Sequence, residues 1–131
     1  MNFAFSNERE PHRERTKQLL ASHPELRDNI GKNPFTFLVI LTCIALQLAA
    51  ADLLRDASAW TILLIAFFFG AYASHALWVL IHECSHNLVF GKRHWNTLAG
   101  IAANLPHVFP SDVPFQRYHM KHHAFQGVYD L

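Results

Sequence analysis

Polar and apolar positions divide this chain sharply. Residues 1–34 mix charges with short apolar stretches, and the pattern changes at Phe35. From Phe35 to Ala51 seventeen residues pass without a charge, close to the lower limit of the roughly 17–25 needed to cross a hydrocarbon core. This run predicts a transmembrane helix over about 35–51. Asn33 offers a cap, and Pro34 is acceptable at a first helical position. A second apolar run, Ala59 to Ile81, predicts another spanning helix over about 59–81. Ser74 and His75 interrupt its lower half, and an ionisable residue inside such a helix is a functional hint. Residues 11–22 read as a short charged helix with a weak apolar side at Leu19 and Leu20, ending near His23-Pro24. Residues 95–110 are apolar but broken by Asn104, Pro106 and Pro110, so they fit an interfacial or re-entrant segment. A chain this short has too little else to hide both long runs on all sides. The pattern therefore predicts an all-α membrane protein: a polar segment over 1–34, then a membrane part over 35–131 built on a transmembrane helical hairpin.

Composition supports this and sets an orientation. Of 131 residues, 51% are hydrophobic and 16% charged, where an ordinary soluble domain has about 45–50% and about 25%. The chain is not a disordered tail, and a net charge of +1 gives no basic excess for nucleic acid. Six Lys/Arg precede the first run, Arg55 lies between the runs, and Lys92, Arg93, Arg117 and Lys121 follow the second. By that asymmetry both ends are cytoplasmic. The polar lead before Phe35 does not match a cleaved signal peptide, and Asn2 stands where N-myristoylation needs glycine. Two cysteines, Cys43 and Cys84, are too few for a disulfide framework and suit a reducing compartment.

The chemistry lies in the histidines, eight of the ten falling between His75 and His123. His82-Glu83-Cys84-Ser85-His86 places two imidazoles at i and i+4 on one helical face. The same five residues fit the HExxH pattern of zinc metallopeptidases, with Glu83 as general base. His119-Met120-Lys121-His122-His123 adds three more at i, i+3 and i+4. Five imidazoles exceed the three protein ligands usual for catalytic zinc, and imidazole sites with open positions suit iron. His82, His86, His119, His122 and His123 are thus candidate metal ligands, while His12, His23, His94 and His107 read as background. His75, Asn87, Asn104 and Tyr118 are candidates for supporting the ligands from behind. Arg117 and Lys121 suit a solvated interface, an acidic head group or a donor protein, and Trp60, Trp78, Trp95 and Tyr118 include interface anchors. An oxygen-activating iron enzyme, a membrane zinc peptidase and a non-catalytic subunit holding a metal or haem all remain open.

These motifs resemble the membrane fatty-acid desaturase superfamily, and more narrowly the sphingolipid delta-4 desaturase (dihydroceramide desaturase) family. The resemblance rests on Pro11-His12 through Asn33-Pro34, Ile81-His82-Glu83, His86-Asn87, Ala103-Asn104-Leu105-Pro106 and Arg117-Tyr118-His119-Met120-Lys121-His122-His123, in that order. It implies that His82 and His86 form a first histidine box and His119, His122 and His123 a second, with His75 matching a family histidine of less certain role. It further implies a di-iron centre on the cytoplasmic face of a larger desaturase fold. The implied reaction removes hydrogens from carbons 4 and 5 of dihydroceramide to give ceramide, using dioxygen and electrons from cytochrome b5 and its reductase, in the endoplasmic reticulum. Sphingolipid C4-hydroxylation by the same centre is the alternative within the family. The family's third box, a further HxxHH, falls beyond Leu131, so the resemblance implies a fragment inactive as it stands.

Overall fold

A computed structural model describes residues 12–125, with side chains from residue 14 onward. Asn2 and Pro11, which carry two of the readings above, lie outside them. Among the described residues every regular element is helical. They are α1 (His12–Ser22), a 3-10 turn (Pro24–Asn29), α2 (Thr36–Leu53), α3 (Ala59–Ile65), a π-helical turn (Ala66–Gly70), α4 (Ala71–Ser85), α5 (Arg93–Asn104) and α6 (Asp112–Phe125).

The chain forms two compact units, divided after Gly31. In the first, α1 stops where the sequence places Pro24. The N–H of His23 donates to the carbonyl of Leu19 at 2.8 Å, and the Ser22 hydroxyl turns back to the Gln18 carbonyl at 2.9 Å. Proline has no N–H to continue the ladder, so a short 3-10 turn follows.

The second unit, Lys32–Phe125, holds the two long apolar helices. Asn33 sets the start of α2: its side-chain oxygen accepts the N–H of Phe35 at 3.1 Å and its carbonyl accepts that of Thr36 at 3.2 Å. Ser58 begins the next helix by accepting the N–H of Thr61 at 3.2 Å. From there α3, the π turn and α4 run on as one helix of 27 residues, Ala59–Ser85. The sequence pattern ends this helix at Ile81 because apolarity ends there. Helical hydrogen bonding has no reason to stop, since neither glycine nor proline intervenes, and the helix carries His82 and Glu83 beyond the apolar run. Both Thr36–Leu53 and Ala59–Ser85 are long and apolar enough to cross a membrane, and only 11% and 6% of their apolar windows is buried. The core helix of a soluble protein is mostly buried, and these two are not.

Packing is concentrated at the other end of α4. Its inner face, Leu77, Ile81, Cys84 and Ser85, meets Asn96, Ala99, Gly100, Ala103 and Asn104 of α5. Small residues let the two helices approach closely. A Cβ on Gly100 lies 3.5 Å from the Cys84 Cβ and 3.6 Å from Asp112 Oδ2, enough room for a methyl group. Ile40 of α2 and Val89 complete the buried cluster. The chain reverses after α4 through Asn87, which takes a left-handed φ of 59° that asparagine tolerates.

Asn96, fully buried, clamps this reversal. Its oxygen accepts the N–H groups of Val89 and Phe90 at 3.1 and 2.9 Å, and its amide donates to the carbonyls of Phe90 and Lys92 at 2.8 and 2.9 Å. The N–H of Asn33 donates to the Leu88 carbonyl at 2.8 Å, tying the start of α2 to the same turn. The reversal aims α5 and then α6 back along α4.

Candidate metal centre

Two helices supply the histidines. His82 lies in the last turn of α4 and His86 caps it, while His119 and His123 occupy one face of α6 at i and i+4. Because α4 packs on α6, the four rings meet although 33 residues separate His86 from His119. One nitrogen from each of His82, His86, His119 and His123 lies within 4.8 Å of the others. His119 is the hub. Its Nε2 is 3.0 Å from His86 Nε2 and 3.1 Å from His123 Nε2, and its ring centroid is 4.5 Å from that of His82.

These distances suit a metal. One Nε2 has one lone pair or one proton, so it makes one good hydrogen bond in the ring plane, yet two imidazoles aim at the same atom. Two nitrogens each about 2.1 Å from one ion at a right angle lie about 3.0 Å apart. The donor set therefore fits a cation better than it fits mutual hydrogen bonds. Burial pushes the His86 and His119 imidazoles below their ordinary range, and the neighbouring His82 and His123 push the same way. Glu83 opposes the shift at His86. The neutral, lone-pair-bearing form is favoured, as a ligand requires.

The shift has a sign that can be tested. With folded values below the unfolded one, the unfolded chain takes up protons first as pH drops. Stability present above about 6.5 is thus lost as pH falls through the depressed values, and metal leaves with it. A metal-loaded chain is expected to retain its ion at pH 7.5 and release it between about pH 6 and 5. Metal analysis after dialysis across that range checks this, and unchanged content at about pH 5 contradicts imidazole ligation.

The other sequence candidates are placed differently. His122 is exposed beside the cluster, its ring 5.7 Å from that of His123, and is not one of the four converging residues. His75 is exposed on α4, and Tyr118 is 76% exposed next to His119. Asn87 buries its side-chain oxygen without a hydrogen-bond partner. Asn104 is engaged with the loop before α6. Its amide donates to the Phe109 carbonyl at 2.9 Å, and its oxygen accepts from the N–H of Ser111 at 3.3 Å and its hydroxyl at 3.4 Å.

Trp78 packs against protein rather than standing free. It is half-buried, with its ring 5.8 Å from Phe115 and 5.4 Å from His107, because the turn before α6 folds over it. Trp60 and Trp95 do stay exposed. Sequence reasoning missed Phe115, which contacts both His82 and His119. Its signal was available in the i, i+4 spacing to His119.

Comparison with known proteins gives one answer. The family model described as sphingolipid Delta4-desaturase matches residues 1–35. A sphingolipid delta(4)-desaturase DES1-like protein of Oryza sativa subsp. japonica is 46% identical over 127 residues, covering 97% of this chain and 39% of the relative. Its counterpart in Arabidopsis thaliana is 44% identical over 127 residues, covering 97% and 38%. The Homo sapiens sphingolipid delta(4)-desaturase DES1 is 34% identical over 120 residues, covering 90% and 37%. The chain thus spans about two-fifths of the length of these relatives. No solved structure matches it.

Proposed function

We propose that this chain, a relative of the sphingolipid delta(4)-desaturases, builds the membrane hairpin and part of the iron centre of a lipid desaturase that converts dihydroceramide to ceramide. The observation that carries the proposal is the convergence of His82, His86, His119 and His123 beside two exposed apolar helices. In this reading α2 and Ala59–Ser85 cross the membrane of the endoplasmic reticulum, and the histidines stand on its cytoplasmic side. The four converging imidazoles hold one iron. His122, one position from His123 on α6, is offered to a second iron together with ligands from outside the described residues.

Bound iron supplies the activation of dioxygen that removing hydrogens from an unactivated methylene chain demands, since no side chain deprotonates such a carbon near neutral pH. The chain's own residues do the rest. Burial keeps His86 and His119 neutral, so their nitrogens remain donors of lone pairs rather than protons. The α4–α6 contact fixes the spacing of the two histidine pairs. Electrons come from cytochrome b5 and its reductase. The peptidase reading is not favoured. Four imidazoles converge, one more than the three protein ligands usual for catalytic zinc.

A chimaera tests the activity. This chain is placed in the rice relative in exchange for the region it matches, and the product is expressed in cells that lack delta-4 desaturation. Mass spectrometry is expected to find the 4,5-unsaturated sphingoid base, and a His82→Ala chimaera is expected to make none. A 4-hydroxylated product points instead to the hydroxylase alternative. No product, while the intact relative is active, contradicts the assignment.

A further inference from the structure

One aromatic residue sits between the two helices that carry the ligands. Phe115 precedes His119 by four positions on α6, so the two share a face, and their rings are stacked at 4.9 Å with only 12° between planes. On the other side Phe115 meets α4. Its ring is 5.8 Å from Trp78 at 76° and 6.3 Å from His82 at 58°. Trp78 and His82 are themselves four apart on α4, so two i, i+4 pairs face each other across the helix interface. Phe115 is the member that touches both ligands and the tryptophan.

An imidazole on an exposed helix rotates about two side-chain bonds, and metal binding must halt that rotation. Many metal-bound histidines are held by a hydrogen bond from the far ring nitrogen. Among the hydrogen bonds found for the His119 ring, both run through Nε2 to other ligands. A flat apolar ring against its face performs the same restraint by contact. An aliphatic side chain of similar volume fills the space and leaves the imidazole plane free to turn.

We propose that Phe115 is a positioning residue for the metal centre: its ring fixes the plane of His119 on its own helix and braces it against His82 on the opposite one, so that His119 arrives preset for a shared ion. This rests on the metal reading of the four histidines.

The test is Co2+ binding to the purified chain in detergent, followed by visible ligand-field absorption, for wild type, Phe115→Leu and Phe115→Tyr. Helical circular dichroism and the apo melting temperature are recorded in parallel. Phe115→Leu is expected to keep the apo melting temperature and helicity, to bind Co2+ about ten- to a hundredfold more weakly, and to show a shifted ligand-field band. Phe115→Tyr keeps the flat ring and is expected to stay within about threefold of wild type. Equal affinity and spectrum in Phe115→Leu overturn the proposal. So does a loss shared by leucine and tyrosine, or an affinity loss that merely follows a lowered apo melting temperature. If wild type itself binds no Co2+, the metal reading fails and this inference falls with it. Binding by wild type with no effect of leucine removes only the role of Phe115.

Discussion

Replacing His119 by alanine is expected to weaken metal binding at least about a hundredfold while leaving the helices in place. Its Nε2 stands 3.0 and 3.1 Å from those of His86 and His123, so its loss opens the middle of the ligand set. Structural zinc in small domains is bound with roughly 10–16 kcal/mol shared by four ligands, or about 3 kcal/mol each. At about 1.4 kcal/mol per factor of ten, one ligand is worth about two decades. His119 lies on α6, where alanine is the better helix former. Isothermal titration of the apo chain with Co2+ or Zn2+ measures the change, with His94→Ala as comparison. His94 is exposed on α5 beside Trp95 and should bind metal as wild type does. A His119→Ala protein within about threefold of wild type contradicts the site.

The second large effect concerns stability. Asn96→Ala is expected to cost about 3–5 kcal/mol, because each buried group left without a partner costs about 1–3. The substitution strands the N–H groups of Val89 and Phe90 and the carbonyl of Phe90, while the Lys92 carbonyl keeps the backbone N–H groups of Trp95 and Asn96. Asn96→Asp keeps both accepted bonds, loses both donated ones and adds a buried charge, so it should also destabilise. Because this turn leaves α4 one residue after His86, the alanine protein is expected to lose metal affinity too. Denaturant unfolding in detergent reads the first effect and metal titration the second. A stability change below about 1 kcal/mol shows that the clamp does not hold the reversal.

Much of this architecture was visible in the order of residues, for identifiable reasons. A charge-free run of seventeen residues and a second over 59–81 pointed to α2 and to most of the Ala59–Ser85 helix, because apolarity over that length has few other uses, while the last turn with His82 lies beyond the apolar run. The i, i+4 pairs His82/His86 and His119/His123 were visible because helical periodicity puts such pairs on one face. That the two pairs face one another was not visible, since it depends on how the turn after Asn87 returns the chain.

The role of Asn96 was hidden for the same reason. Four hydrogen bonds to residues 89–92 require a particular turn, and asparagine in a helix carries no mark that distinguishes it from a surface residue. Trp78 misled for a different reason. A tryptophan near the end of an apolar run suits a membrane interface equally well, and only the approach of His107 and Phe115 to α4 shows that it is half-buried against protein.

In the proposed site His82, His86, His119 and His123 hold a single ion together. X-ray absorption at the iron edge, on the chain loaded anaerobically with one equivalent of Fe2+, tests it most directly. A first shell at about 2.1 Å that includes nitrogen is expected, with the outer-shell scattering of several imidazoles, and that pattern is expected to be lost in His86→Ala/His119→Ala. A first shell of oxygen alone, without imidazole scattering, or an imidazole pattern unchanged in the double variant, contradicts it.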